Sequence, residues 1–174
     1  MTDWQEIVAR HNELAWRTAY RLLGRYEEAA DCLQEAFLAA WEVSKTERIR
    51  NWPALLVRLV SRRALDRLRR RLRLAGRSQD MPDWSALAAK DPSPADQAIG
   101  SELAERLRGA LSRLPDRQAE VFCMRCLNDL SYKDIARQLE MKVSAVGVLL
   151  HRARSRLREL LKQSVSNERA EVEP

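Results

Sequence analysis

The sequence predicts an all-α protein made of two small helical domains joined by a flexible linker. Three observations carry that expectation. The 174 residues are 45% hydrophobic and 32% charged but include only 5 glycines, which is core-forming material without enough glycine for the turns of a many-stranded sheet. Apolar residues recur at helical spacing on both sides of a proline-containing stretch. The charge, +6 overall, is divided into blocks of opposite sign. Residues 1–47 carry 5 basic and 9 acidic side chains, whereas residues 48–73 carry 10 arginines and a single acid, Asp66.

The first helix is expected over residues 3–23, with Ile7, Leu14, Ala15, Thr18 and Leu22 on one side and Gly24 as its stop. The second runs from about Tyr26 to Val43, and Ala30, Leu33, Phe37, Ala40 and Trp41 form its apolar face. Asp31, Gln34, Glu35, Leu38 and Glu42 lie on the other side. That row reads either as a solvated surface or as a docking stripe for a basic partner, with Leu38 as its apolar point.

Trp52-Pro53 opens the third helix, because proline suits a first helical turn. Val57, Val60, Ala64, Leu65, Leu68 and Leu72 make an apolar arc. Arg58, Arg62, Arg69 and Arg73 lie opposite it, with Arg63, Arg67 and Arg70 to one side. Such a density of guanidinium groups suits phosphate binding, where counterion release favours association. An ordinary solvated face and a membrane-surface helix are the alternatives.

Residues 76–98 hold three prolines, lack a sustained helical repeat and read as the linker. A helix at 101–113 follows, and Leu114-Pro115-Asp116 restarts the chain into a helix ending near Leu127. Ser131 and Asp134 form a capping box for a short helix bearing Ile135, Ala136 and Leu139. Glu140–Val143 make a turn, and Ser144 caps a last helix with Val146, Leu150, Ala153, Leu157 and Leu160 or Leu161 inward. Ala145, Val148, Arg152 and Ser155 then point outward. A short helix, a tight turn and an arginine-rich second helix make a helix-turn-helix, although a plain helical bundle would show the same apolar pattern. The polar, acidic residues 164–174 are expected to be disordered.

Several function classes fall away. No apolar run approaches the ~20 residues that span a bilayer, and Met1–Glu6 lacks the features of a signal peptide. Three cysteines are an odd number, so no disulfide framework is expected and a cytoplasmic setting is. Cys123 and Cys126 form a CxxC inside a predicted helix. His11 and His151 are the only histidines, too few nearby ligands for a structural zinc site. No phosphate loop, nucleophile triad or cofactor motif is present, so no catalytic residue, metal or cofactor is assigned.

Together these segments resemble the extracytoplasmic-function (ECF) sigma factors of the sigma-70 family, reduced to regions two and four. Asp31-Cys32-Leu33-Gln34-Glu35-Ala36-Phe37 is similar to the D-x-x-Q-E-x-F signature of region two. Ala64-Leu65-Asp66-Arg67-Leu68-Arg69 is similar to the end of its DNA-facing helix. Leu114-Pro115 with Val121-Phe122, Ser131 to Ala136, and Leu150-His151-Arg152-Ala153-Arg154 are similar to region four, in order and spacing.

The resemblance implies a region-two domain over residues 1–75, a linker over 76–100, a region-four domain over 101–163 and an acidic tail from 164. It also implies a non-enzymatic subunit of RNA polymerase that recognises promoters and promotes their melting. Asp31, Gln34, Glu35 and Leu38 would dock on the polymerase β′ clamp, and the second domain would meet the β flap. Trp52, Arg58, Arg62, Arg63, Asp66, Arg69 and Arg70 would hold the −10 element. Lys133, Ser144, Ala145, Val148, Arg152 and Arg154 would read the −35 element. An anti-sigma protein wedged between the domains is a further implied partner. The sequence departs from the family at Ala30, where an acid is usual, and at Arg62, where asparagine is frequent. It departs again at Gly147 and Leu149, where the recognition helix usually carries cations, and weaker or differently specified −35 contacts are the expectation.

Overall fold

The structure is a computed structural model that describes residues 3–76 and 94–172, the last including residues 94–100 and 165–172 as backbone helix only. Its elements are α1 (Trp4–Leu23), α2 (Tyr26–Thr46), α3 (Trp52–Ala75), α4 (Pro94–Ser112), α5 (Asp116–Phe122), α6 (Tyr132–Gln138) and α7 (Val143–Val172). A π-helical turn, Cys123–Leu127, continues α5.

The ends of the first three helices follow from side chains that satisfy free backbone groups. Asp3 caps α1 by accepting from the Gln5 N–H at 3.0 Å. Gly24 ends it at φ +69°, its N–H reaching Tyr20 O. This left-handed position suits glycine because a Cβ would crowd the backbone. Asn51 caps α3 through the Ala54 N–H at 3.0 Å, with Pro53 in the first turn.

On α2 the buried side is Ala29, Cys32, Ala36, Phe37 and Ala40. It is rotated from the expected face: Ala30 and Leu33 are half-buried and Trp41 is exposed. The helix packs against both α1 and α3, so its small residues go to the closest contacts and its larger ones border a groove.

In the second half α4 begins at Pro94, earlier than the expected residue 101, and α7 continues to Val172 where a disordered tail was expected. Neither proline nor glycine interrupts residues 164–172, so nothing local stops the helix. The linker residues 77–93 and the end of the tail lie outside the described residues.

The turn between α6 and α7 is a Schellman motif. Glu140 adopts φ +53°, Met141 N–H reaches Ala136 O at 2.9 Å, and Met141 packs on the helix-turn-helix core. The chain therefore enters α7 at Val143, and Ser144 lies within its first turn rather than capping it. Ser131 does cap α6, accepting from the Asp134 N–H at 3.1 Å. The Asp134 carboxylate instead takes the Ser131 hydroxyl at 2.6 Å, so only one half of the expected box forms.

Helices α1–α3, the first half, and α4–α7, the second, meet along a continuous core. Leu22, Leu23, Leu56, Val60 and Leu68 from the first half pack with Leu111, Leu114, Cys123 and Leu157 from the second. Val57 leaves its own neighbours to join Val121, Met124, Ile135, Val146 and Leu150 in the helix-turn-helix core.

Candidate nucleic-acid interface

Three surfaces emerge. On α2, Asp31, Gln34, Glu35 and Leu38 all face solvent, with Leu38 59% exposed. Glu35 is held across to α3, its Oε1 accepting from Arg67 Nη2 at 2.6 Å. Beside the row lies an open groove between α1 and α2, about 850 Å³ in volume, whose apolar walls include Trp4, Trp16, Tyr26, Leu33, Phe37 and Trp41. Gln34 and Leu38 border it too, so the polar row and the groove form one surface. Trp4 stands edge-on to Phe37, Trp41 and Trp52, with centroids 5.0 to 6.1 Å apart. The sequence reading missed the groove because its aromatics are scattered over two helices, and only the i, i+4 pair Phe37/Trp41 hinted at it.

The seven residues expected to face −10 DNA do not share one environment. Arg62, Asp66 and Arg70 are exposed. Arg63 is half-buried against its own helix, with Nη1 3.4 Å from Leu59 O. Trp52 is half-buried at the start of α3, against Trp4. Arg58 and Arg69 are turned onto the second half. Arg69 donates from Nε to Ser112 O (3.0 Å), from Nη2 to Leu114 O (2.9 Å) and from Nη1 to Asp116 Oδ1 (2.5 Å). Arg58 donates from Nη1 to Gln138 O at 2.9 Å, and its Nε lies 3.8 Å from Glu120 Oε1. Glu120 is 6% exposed and ion-paired also to Arg117 at 3.5 Å. A charged carboxylate so buried needs such partners. Together with Arg62, Leu65 and Asp66 these groups line a narrow cleft of about 300 Å³.

On the third surface Lys133, Ser144, Val148, Arg152 and Arg154 are exposed and Ala145 is half-buried. Arg154 Nη2 lies 3.6 Å from Cys126 Sγ. Ser155, expected outward, is half-buried. Gly147 sits in α7 opposite the Tyr132 ring, where a Cβ would find Cε2 at 3.8 Å. Exposed Arg137 and Lys142 flank the turn before α7, adding cations that the sequence reading had not placed.

Cys32 and Cys123 are buried and Cys126 is half-buried. Burial pushes the Cys32 thiol up to about 11 and the Cys123 thiol up to about 12, so both remain protonated near neutrality and poor nucleophiles. No group of acids, cysteines and histidines among the described residues is placed to hold a metal. No helix among them is long and apolar enough to cross a membrane.

Comparison with known proteins matches residues 7–74 to the family model for sigma-70 region 2 and residues 104–157 to that for sigma-70 region 4. Among curated proteins, the chain is 34% identical over 164 residues to the ECF RNA polymerase sigma factor SigE of Mycolicibacterium smegmatis. That match takes in 92% of this chain and 62% of the relative's length. It is 27% identical over 165 residues to SigW of Bacillus subtilis, also an ECF RNA polymerase sigma factor, with 90% and 88% covered. In fold it is similar to CnrH, solved with the cytosolic domain of CnrY, with TM-score 0.59, 23% identity and 92% and 88% of the two chains covered. It is likewise similar to the sigma factor RpoE of Bartonella quintana, solved with the anti-sigma factor NepR, with TM-score 0.58, 22% identity and 93% and 98% covered.

Proposed function

Because the chain belongs to the sigma-70 family, in its ECF branch, we propose that it is a cytoplasmic promoter-recognition subunit of bacterial RNA polymerase, without chemistry of its own. The observation that carries this reading is the pairing, on one chain, of an exposed α2 row with a cation-rich helix-turn-helix. A DNA-binding regulator has no use for the first.

Asp31, Gln34, Glu35 and Leu38 dock on the β′ clamp of core polymerase, with Leu38 entering an apolar recess and the acids meeting basic side chains. Helices α4–α7 take the β flap. Trp52, Arg58, Arg62, Arg63, Asp66, Arg69 and Arg70 hold the −10 element: the arginines meet phosphates, and unstacking is offset when a flipped base is captured. Helix α7 enters the major groove of the −35 duplex from its N-terminal end. There Ser144, Ala145 and Val148 meet base edges and methyl groups, while Lys133, Arg152 and Arg154 meet backbone phosphates. The absence of a cation at Gly147 and Leu149 leaves the apolar Val148 more prominent in that contact. An anti-sigma protein is the remaining partner, by analogy with the Bartonella relative and NepR.

Run-off transcription with purified core polymerase on genomic fragments tests the reading. Discrete, chain-dependent start sites sharing upstream elements are expected. No binding to core and no initiation would sink it.

A further inference from the structure

Trp4 stands in the first turn of α1, next to the Asp3 cap. Its ring links aromatics that otherwise belong to separate helices. It lies edge-on to Phe37 at 6.1 Å and to Trp41 at 5.0 Å, both on α2, and to Trp52, the first residue of α3, at 5.9 Å. Among the described residues Trp52 meets no other ring. Between Trp41 and Trp52 the chain leaves α2 at Thr46 and crosses to α3 through residues 47–51. A single side chain from a third helix therefore spans both ends of that connection.

The connection has little else to hold its course. Glu47 N–H reaches back to Val43 O at 2.9 Å, and Asn51 caps α3 through the Ala54 N–H. No backbone hydrogen bond among the described residues involves residues 48–50. Ile49 is half-buried against the first-half core, whereas Arg48 and Arg50 are exposed and paired with no carboxylate. Two free guanidiniums beside a half-buried indole suit a single strand of nucleic acid, whose phosphates take the cations and whose bases stack on rings. A segment with so few contacts of its own shifts locally, so a fixed contact needs a shape imposed from its ends.

We propose that Trp4 is a positioning residue for the single-stranded −10 element. By fixing Trp52 against α2 it sets the course of residues 47–51, and so the place where Arg48, Arg50 and Trp52 meet the displaced strand. This rests on the promoter-recognition reading above. A surface already in its bound shape spares the protein its share of the ordering cost when a strand binds. Edge-to-face pairs add a directional attraction to their burial, so Trp4, oriented by two rings of α2, orients the third on α3. Trp4 itself faces the groove between α1 and α2 and acts on the strand only through Trp52 and the connection.

The test uses holoenzyme made from the full chain and purified core polymerase, on a promoter defined by run-off transcription. Fork DNA with a single-stranded −10 region is made intact and with one base at a time removed from its sugar. The readout is the ratio of the two affinities at each position, within one holoenzyme. A variant that is merely less stable, or weaker on core, lowers both affinities together and leaves that ratio unchanged. In the wild type, removing a captured base weakens binding about fivefold or more. Trp4→Leu, which keeps an apolar side chain and loses the ring, brings the ratio to about twofold or below. Trp4→Phe keeps it near wild type, and Asp3→Ala, which uncaps the first turn of α1 without touching the cluster, lowers it partway. A full wild-type ratio in Trp4→Leu overturns the proposal. If Trp4→Leu yields no folded chain, Asp3→Ala decides, and an unchanged ratio there overturns it. A wild type in which no base removal matters has no capture to position, which removes the proposal while initiation in the run-off assay preserves promoter recognition. No initiation at all removes both.

Discussion

The hydroxyl of Thr18, midway along α1, lies 2.7 Å from Oδ1 of Asn128, 110 residues further along the chain. Thr18 is fully buried, and Asn128 Nδ2 in turn donates to Cys123 O at 3.0 Å. One asparagine thus ties the π turn to itself and to the first half. The single hydroxyl proton is shared between Asn128 Oδ1 and Leu14 O, 2.8 Å away, and Thr18→Val keeps the shape while removing that donor from both. A loss of about 1–2 kcal/mol in urea denaturation is expected, and an unchanged midpoint would mean that the bond to Asn128 contributes nothing to stability.

Leu38 is exposed where the polar row of α2 meets the apolar groove. Leu38→Arg should leave the thermal midpoint within a degree or two and weaken binding to core polymerase by about tenfold or more. Retained binding in a pull-down with purified core would move the docking surface off α2.

Arg152 faces solvent on α7. Arg152→Ala should weaken promoter duplex binding and lower the slope of log affinity against log salt by about one. A loss confined to a single promoter position would instead assign Arg152 to base reading.

Two backbone positions offer stability without a change of contacts. Glu140 holds φ +53° in the turn before α7, and glycine there relieves left-handed strain; Glu140→Gly should stabilise by about 0.5–1 kcal/mol. At Gly147 a Cβ meets only the Tyr132 ring, at ordinary contact distance, so Gly147→Ala should add about 1 kcal/mol. Calorimetry of both variants decides; a lower midpoint for Gly147→Ala would show that Tyr132 needs the space.

The buried thiols set an alkaline limit. Cys32 and Cys123 titrate near 11 and 12 when folded because burial disfavours the thiolate, whereas in the unfolded chain they ionise near 9. Folded values raised in this way leave stability intact below about pH 9 and erode it as pH climbs towards 11 and 12. Urea midpoints should fall between pH 8 and 10, and iodoacetamide on the native protein should modify Cys126 while sparing the other two. Rapid modification of Cys123 would contradict its burial.

Local patterns were legible in the sequence to the extent that their causes were local. The α1 stop at Gly24, the Pro53 start of α3 and the apolar line of α7 all depend on residues within a few positions. The exposure of Asp31, Gln34, Glu35 and Leu38 followed from spacing alone. The α2 burial face was displaced because three helices compete for it, a tertiary matter that periodicity in one helix does not contain. The Ser144 cap moved because Glu140 takes a left-handed conformation usually left to glycine. The different fates of Arg58 and Arg62, four residues apart, depend on where α6 ends in space, and no feature of α3 encodes that.

The fully buried Val57 sits in a core whose other buried members all come from the second half, with Leu14 of α1 packed at its edge, and this bears on how freely such chains exchange parts. A chimera joining residues 1–76 of this chain to the second half of a distant relative would set Val57 against unmatched side chains, with a cavity or a clash at the seam. Grafts between family members are therefore expected to express well when the partners of Val57, namely Val121, Met124 and Ile135, travel with it, and to lose solubility when they do not. Modularity in this fold is limited by the whole apolar seam between the halves, of which Val57 is one point.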